Sequence, residues 1–351
     1  MKCFCTALLI LCAWFLAASG YQVTVLGDTH FDAGHYHASK LVNEYQKFER
    51  ERNASMWENG ASAAVLRAAA AKTTADVPFV IQAGDLTQGD CDDAAAQVQM
   101  VNDGFKTVKS FFKGKKLLTV QGNHDVRLAS GKREMSMSAK AFFPALEREV
   151  GKPLNNGNYF VRHGRDLYIF FAAFKITDKE AVDFVSGALD QNKDARHVFY
   201  ITHVPLLAWS YTQPLPGCDK IVSLLLSRNA VILCGHTHRS SILTIAKDGK
   251  KLTQFVVSSI GSDWKNTLPF EVSFDTVDKY MMSKKESYRK RETVIKRLAE
   301  LKKYPITLSE VYSIKSGFAI LNVKEDTVAA ELYLDDSGKP VKTFILKGNN
   351  K

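Results

Sequence analysis

Five short apolar runs in this 351-residue chain each stop directly before residues able to bind metal ions. VTVLG precedes Asp28-Thr29-His30, VIQAG precedes Asp85, and LLTVQG precedes Asn123-His124-Asp125. FYIT precedes His203, and VILCG precedes His236-Thr237-His238. Five of the nine histidines (His30, His124, His203, His236 and His238) fall at these ends. One such histidine alone reads as structural; all five, mixed with Asp and Asn, do not read as accident. The donors are imidazole, carboxylate and amide oxygen without thiolate. That set suits Mn, Fe, Zn or Mg and argues against a structural zinc knuckle. Seven candidate ligands, Asp28, His30, Asp85, Asn123, His203, His236 and His238, are too many for one ion and enough for two. A shared carboxylate would hold two ions about 3.5–4 Å apart, the arrangement used to hydrolyse phosphoesters.

Such ligands meet only if the runs are strands whose carboxyl ends share one rim, where sites form in open α/β sheets. The apolar runs Tyr21–Leu26, Pro78–Gln82, Lys116–Val120, Leu167–Phe174, His197–Thr202, Ala230–Leu233 and Leu252–Ser259 read as buried strands. Helical patterns at Ala61–Lys72, Asp92–Phe112, Lys179–Leu189 and Asp219–Ser227 fall between them, so the class is α/β. Ser240–Ala246 and Leu252–Ser259 around Asp248-Gly249 read as a hairpin, which makes part of the sheet antiparallel. Glycine precedes four of the five ligand clusters and suits close backbone approach to an ion or phosphate. Phe274–Lys303 carries helix-spaced Val277, Met281, Tyr288, Ile295 and Leu298. After Pro305 the chain returns to strands at Phe318–Val323, Thr327–Leu334 and Val341–Leu346.

In order, Asp-x-His, Gly-Asp, Gly-Asn-His-Asp, His and Gly-His-x-His resemble the blocks of the calcineurin-like metallophosphoesterase superfamily. The resemblance runs from Asp28 to His238. It implies a four-layer α/β/β/α sandwich of mixed sheets, here with a C-terminal helical insertion at about 265–315 and returning strands at 316–351. It also implies a binuclear centre with two divalent or trivalent ions. Asp28, His30 and His238 would hold one metal, Asn123, His203 and His236 the other, and Asp85 would bridge them. A metal-bridging hydroxide would attack phosphorus, His124 would protonate the leaving oxygen, and Asp125 would orient the His124 ring. General acid–base physics agrees, because a histidine bonded to a carboxylate is a suitable acid.

Departures narrow the branch. Gly-Asp-Leu-Thr-Gln at Asp85 lacks the tyrosine that would resemble purple acid phosphatases, and the arginine-rich extension of protein serine/threonine phosphatases is absent. The chain looks closer to the small-phosphodiester and cyclic-nucleotide branch, although Phe31–Gly84 is long for it. Within that stretch His35, His37, Met56 and Trp57 read either as a substrate-pocket lining or as a surface loop leading into a helix. Arg127 and Arg239 read either as phosphate contacts or as salt-bridge partners. A secreted phosphomonoesterase or phosphodiesterase acting on a small phosphorylated substrate is the reading carried forward. A catalytically silent metal- or anion-binding protein on the same fold is its alternative, and complete retention of the seven ligands speaks against that.

Ordinary proportions (46% hydrophobic, 24% charged) exclude a disordered or fibrous chain. A net charge of +10 favours anionic partners without indicating specific nucleic-acid binding. Lys2, the apolar run Ala7–Ala18 and the small residues Ala18-Ser19-Gly20 form a secretory signal layout, with cleavage expected after Gly20. The run is too short for a membrane anchor, so a secreted or periplasmic mature chain is expected. Cys91, Cys218 and Cys234 would remain, with a Cys91–Cys218 bridge open to an oxidising compartment. Asn53-Ala54-Ser55 is a glycosylation sequon, and the ten Lys/Arg between Lys279 and Lys303 read as a solvated face or an anion-attracting one.

Overall fold

Runs of β-branched and aromatic residues alternate with segments carrying one apolar stripe, so strands and amphipathic helices alternate along the chain. The computed structural model describes residues 20–37, 44–130, 134–154, 156–174, 176–207, 215–261, 270–271, 306–311, 316–334 and 338–348. Its strands are β1 (Tyr21–Leu26), β2 (Phe79–Gln82), β3 (Lys116–Thr119), β4 (Tyr159–His163), β5 (Asp166–Phe171), β6 (Val198–Thr202) and β7 (Val231–Cys234). They continue with β8 (Ser241–Lys247), β9 (Lys250–Val256), β10 (Phe270–Glu271), β11 (Ile306–Val311), β12 (Gly317–Val323), β13 (Val328–Leu334) and β14 (Lys342–Lys347). The α-helices are α1 (Glu44–Glu58), α2 (Ala61–Lys72), α3 (Ala94–Phe111), α4 (Phe143–Val150), α5 (Asp178–Asp190) and α6 (Cys218–Ser227).

Two mixed sheets result. The first has the order β14-β13-β12-β1-β2-β3, with β1, β2 and β3 parallel and β12 to β14 antiparallel. The second has the order β10-β11-β8-β9-β7-β6-β5-β4, parallel from β5 through β6 and β7 to β9. Alternation along β5 separates the layers. Tyr168 and Phe170 join the core shared with the first sheet, whereas Leu167, Ile169 and Phe171 pack with α5 and α6 on the outer side. Leu66 of α2, Phe105 of α3 and Leu146 of α4 pack with the first sheet. The architecture is therefore the α/β/β/α sandwich of mixed sheets. Within the segment expected as a helical insertion at about 265–315, the described residues are the strands β10 and β11; 272–305, where the basic helix is expected, lies outside the described residues, and so does the signal segment up to residue 19. No helix among the described residues is long and apolar enough to cross a membrane.

Three further features depart from expectation. Helix α1 stands where one reading is a surface loop, because three of its buried positions, Gln46, Glu49 and Asn53, are polar and Met56 alone leaves no apolar period to read. The Cys91–Cys218 bridge does not form. Cys91 packs against Met100 in a small cluster near the first sheet, and Cys218 bonds the Leu206 carbonyl against the second. Asn53 is buried, and its side chain donates to Gln88, so the sequon serves the folded interior.

At the end opposite the ligand clusters, Asp166 ties the sheets together. Tyr21 of β1 donates to it at 2.6 Å, Arg196 donates through Nε at 2.9 Å, and Arg196 reaches Glu325 at 2.8 Å. Burial alone would raise the Asp166 carboxyl, but Arg196 and Tyr21 outweigh it and hold it below its ordinary value. Asp166→Ala is expected to cost about 3–5 kcal/mol in urea unfolding at neutral pH, since its donors lose their buried acceptor. A depressed carboxylate stabilises fully above the unfolded pKa, near 3.9, and loses that contribution as pH falls through the folded value. The difference between wild type and variant should therefore narrow only below about pH 4.

Candidate metal centre

The parallel strands deliver their ligands from both sheets to one rim. Asp28 and His30 follow β1, Asp85 follows β2, and Asn123 follows β3; His203 follows β6, and His236 and His238 follow β7. The ligand atoms of Asp28, His30, Asp85 and His238 all lie within 4.8 Å of one another, and those of Asp85, His203 and His236 form a second such group. Asp85 belongs to both. His30 Nε2 faces His238 Nε2 at 2.9 Å, and His203 Nε2 lies 3.1 Å from Asp85 Oδ2 and 3.2 Å from Asn123 Oδ1. His236 Nδ1 stands 3.2 Å from His203 Nε2, which adds Asn123 and His236 to the same corner. His203 Nδ1 donates to the Ala83 carbonyl at 2.9 Å, so its Nε2 is aimed into the centre.

Local backbone geometry serves this convergence. His30, Asp85, His236 and His238 all have positive φ, from 41° to 70°. Non-glycine residues there carry strain that surrounding structure must offset. Gly122 is required for a different reason: a Cβ on it would lie 2.1 Å from Asp85 Oδ1. The donors fit a metal pair. Carboxylate oxygens, an amide oxygen and ring nitrogens, mostly acceptors, face one another at about 3 Å and need shared positive charge between them.

The profile of the calcineurin-like phosphoesterase family matches residues 21–240. The chain belongs to this family. Among solved structures, it is similar to "Structure of PhoD" at 10% identity and a TM-score of 0.54, covering 94% of this chain and 72% of that one. It is similar also to "GAP50 the anchor in the inner membrane complex of Plasmodium" at 13% identity and a TM-score of 0.50, covering 95% of this chain and 90% of that one. These likenesses show the shared fold. No curated protein matches the sequence.

Electrostatics in this calcineurin-like centre follow from burial against pairing. Burial, reinforced by His124 and His238, holds His30 well below its ordinary pKa, and burial with His203 pulls His236 down to about 3. Both rings are thus neutral and ready to ligate. Burial would lower His203 too, but the Asp85 and Asp28 carboxylates overcome it and raise it to about 9. Burial would raise Asp85, and its histidine neighbours, His203 first, keep it well below the usual carboxylate range.

Asp125 does not orient His124. Its carboxylate accepts from the backbone of Gly122 at 2.7 Å and Thr87 at 2.9 Å, and from the Thr87 hydroxyl at 3.0 Å. His124–Val126 forms a 3₁₀ turn, in which neighbouring side chains diverge by a third of a revolution. Instead, His124 Nδ1 donates to the Gln88 carbonyl at 2.9 Å, and the His124 backbone N–H donates to Asp85 Oδ1 at 2.8 Å. Arg127 is a salt-bridge residue, held by Asp90 at 2.6 Å and Glu49 at 3.0 Å, whereas Arg239 is half-buried beside His238. His37 pairs with Asp32, His35 is exposed, and Met56 is buried. Trp57 donates to the His30 carbonyl at 2.9 Å, which anchors a ligand loop. Sequence reasoning missed Gln88 because a main-chain carbonyl carries no residue signature.

Asp85→Ala removes the one carboxylate shared by both groups. Elemental analysis of the variant should show loss of most bound metal from both positions, whereas His238→Ala should spare the ion held by His203 and His236. Equal, complete loss in both variants would mean a single site.

Proposed function

We propose that the chain is an exported, metal-dependent phosphoester hydrolase whose seven ligands hold two ions. The observation that carries this reading is Asp85, common to two groups of metal-type donors at the rim where both sheets end. When bound, the two ions would supply Lewis acidity that neutralises phosphoryl oxygens and lowers the pKa of water.

The chain's own residues account for the rest of the chemistry. Asp28 accepts from the His236 backbone N–H at 2.9 and 3.0 Å, which ties the β1 loop to the β7 loop and keeps the ligands in register. A carbonyl only accepts, so His124 Nδ1 carries hydrogen toward Gln88 and Nε2 is the ring atom that takes up and releases a second proton. Burial and then Arg127 lower the His124 pKa, so the protonated ring is the stronger acid while a smaller share of it carries the second proton at neutral pH. Asp28, His30, Asp85 and His203 are buried at the rim, which strengthens each of these interactions. A small phosphorylated substrate, mono- or diester, fits this chemistry; a cyclic nucleotide belongs to the same class.

Export is part of the proposal. Its support is the charged start, apolar run and small residues before Tyr21, together with β1, which begins at Tyr21 and is left whole when residues 1–20 are removed. N-terminal sequencing of protein recovered from the medium or periplasm should begin within a few residues of Tyr21. An intact Met1 on cytosolic protein would refute it.

A panel of monoesters, diesters and cyclic nucleotides, assayed with Mn, Zn, Fe or Mg added back to apo protein, tests the activity. Hydrolysis of at least one class with two ions per chain is expected; two tightly bound ions with no turnover on any class would leave a silent binding protein. On the substrate so found, His124→Ala should keep its metal and lose about 10²–10⁴ in kcat. The loss should be largest for alkoxide leaving groups and small for nitrophenolate, which departs without a proton.

A further inference from the structure

Helix α1 buries the wrong kind of face for a helix that only stabilises. Gln46, Glu49, Asn53 and Trp57 recur at intervals of three and four residues, so they share one side of the helix. Three of these four are polar and buried. Burying such groups is costly, and apolar residues of similar volume would often stabilise as well or better. The cost therefore points to what the face holds.

It holds the loop after β2. Asn53 Nδ2 donates to Gln88 Oε1, and Gln88 Nε2 donates to Asp90 Oδ2 at 3.0 Å. Gln46 donates to Asp90 Oδ1 at 3.0 Å, and Arg127 grips the same carboxylate through Nε at 2.7 Å and Nη2 at 2.6 Å. Arg127 also reaches Glu49 at 3.0 Å, so the chain of bonds returns to α1. Both side-chain ends of Gln88 are thus pinned, and it is the Gln88 carbonyl that accepts the His124 Nδ1 proton. The Gln88 loop is laid against the His124 loop so closely that a Cβ on Gly89 would lie 2.2 Å from the His124 carbonyl oxygen. Asp90 N donates to the Arg127 carbonyl at 2.6 Å beside it.

We infer that the polar face of α1, acting through the pinned Gln88 side chain and the Asp90–Arg127 pair, is the positioning device for His124. Gln88 takes the part that a neighbouring carboxylate would otherwise play: it fixes the ring's tautomer and aim with a main-chain carbonyl. That carbonyl is neutral, so it orients the ring without holding an imidazolium as a carboxylate would. Gln88, Asn53 and Arg127 are positioning residues, since none of them has to touch substrate. The activity consequence rests on the hydrolase reading, whereas the tautomer consequence does not.

Gln88→Met keeps side-chain bulk and the main-chain carbonyl while deleting both pinning bonds. In metal-loaded protein it should lower kcat for alkyl esters by about 10–100-fold, the usual effect of losing an outer support. KM, the two bound ions and the rate with nitrophenyl esters should stay near wild type. Placed in a His124→Ala background it should add almost nothing, because both changes remove the same contribution. Nitrogen-15 spectra of the zinc-loaded protein should show His124 as a single Nδ1–H tautomer in wild type and a mixture in Gln88→Met. Should Gln88→Met not fold, Asn53→Asp, isosteric but without the donor, takes its place; Arg127→Lys should fall between wild type and either. Equal slowing of good and poor leaving groups, an additive loss with His124→Ala, or an unchanged single tautomer would each overturn the inference. If wild type turns over no ester, the hydrolase reading fails, and the tautomer comparison still decides the positioning role.

Discussion

The Asp85 carboxylate is the point on which the structure depends. It leaves the end of β2 in the first sheet, meets His203 from the second at 3.1 Å, and accepts the backbone N–H of His124 at 2.8 Å. A buried carboxylate in that position is tolerable only if positive charge and donors surround it on every side. Strands from both sheets must therefore end at one rim, and their loops must turn sharply enough to aim side chains inward. The positive φ angles of His30, Asp85, His236 and His238 are the local consequence. Each such residue costs on the order of 1–3 kcal/mol, which the surrounding fold has to offset.

The offset comes from elsewhere in the sandwich. Between the sheets, Tyr168 stacks on Phe199 with ring centroids 4.6 Å apart, and Tyr159 stacks on Phe170 at 4.5 Å. Large buried aromatics of this kind dominate core energetics. At the far end the Tyr21, Asp166 and Arg196 bonds join the sheets again. One end is held by ionic and hydrogen-bonded pairing, the middle by packing, and the other end carries strain and buried polar groups. The sheets are thus held as one unit away from the rim, which lets ligands from different sheets face each other at fixed distances.

Around the rim lies a second polar layer built by α1, Asp90 and Arg127, and it decides which neighbour His124 obeys. Asp125 stands next in the chain yet spends its carboxylate on Gly122 and Thr87, pinning the two loops that flank the centre. Burial, followed by the Asp85 charge, pushes the Asp125 carboxyl up to about 7, and the Gly122 and Thr87 backbone donors, with the His203 charge, oppose that shift. Fold likeness alone would not have located this division of labour, because likenesses at 10–13% identity carry architecture and leave the polar contacts to each chain.

By itself the sequence determined most of the element types, the clusters of metal-type donors at strand ends and the family. Period-2 and period-3.6 apolar patterns report burial directly, so β1 and α2 are found at their expected limits and the hairpin of β8 and β9 is present. The ligand blocks were legible because each is a short run of unusual side chains directly after a strand. Tertiary structure alone decided the rest. Helix α1 was invisible as a helix because its buried face is mostly polar, and the pairing of Asp28 with the loop of His236 spans 208 residues, which no local pattern encodes. The orientation of His124 rests on the Gln88 carbonyl, an atom that every residue possesses. Side-chain chemistry is written in the sequence, but a main-chain acceptor gains its role only from the fold that brings it within 2.9 Å of a ring.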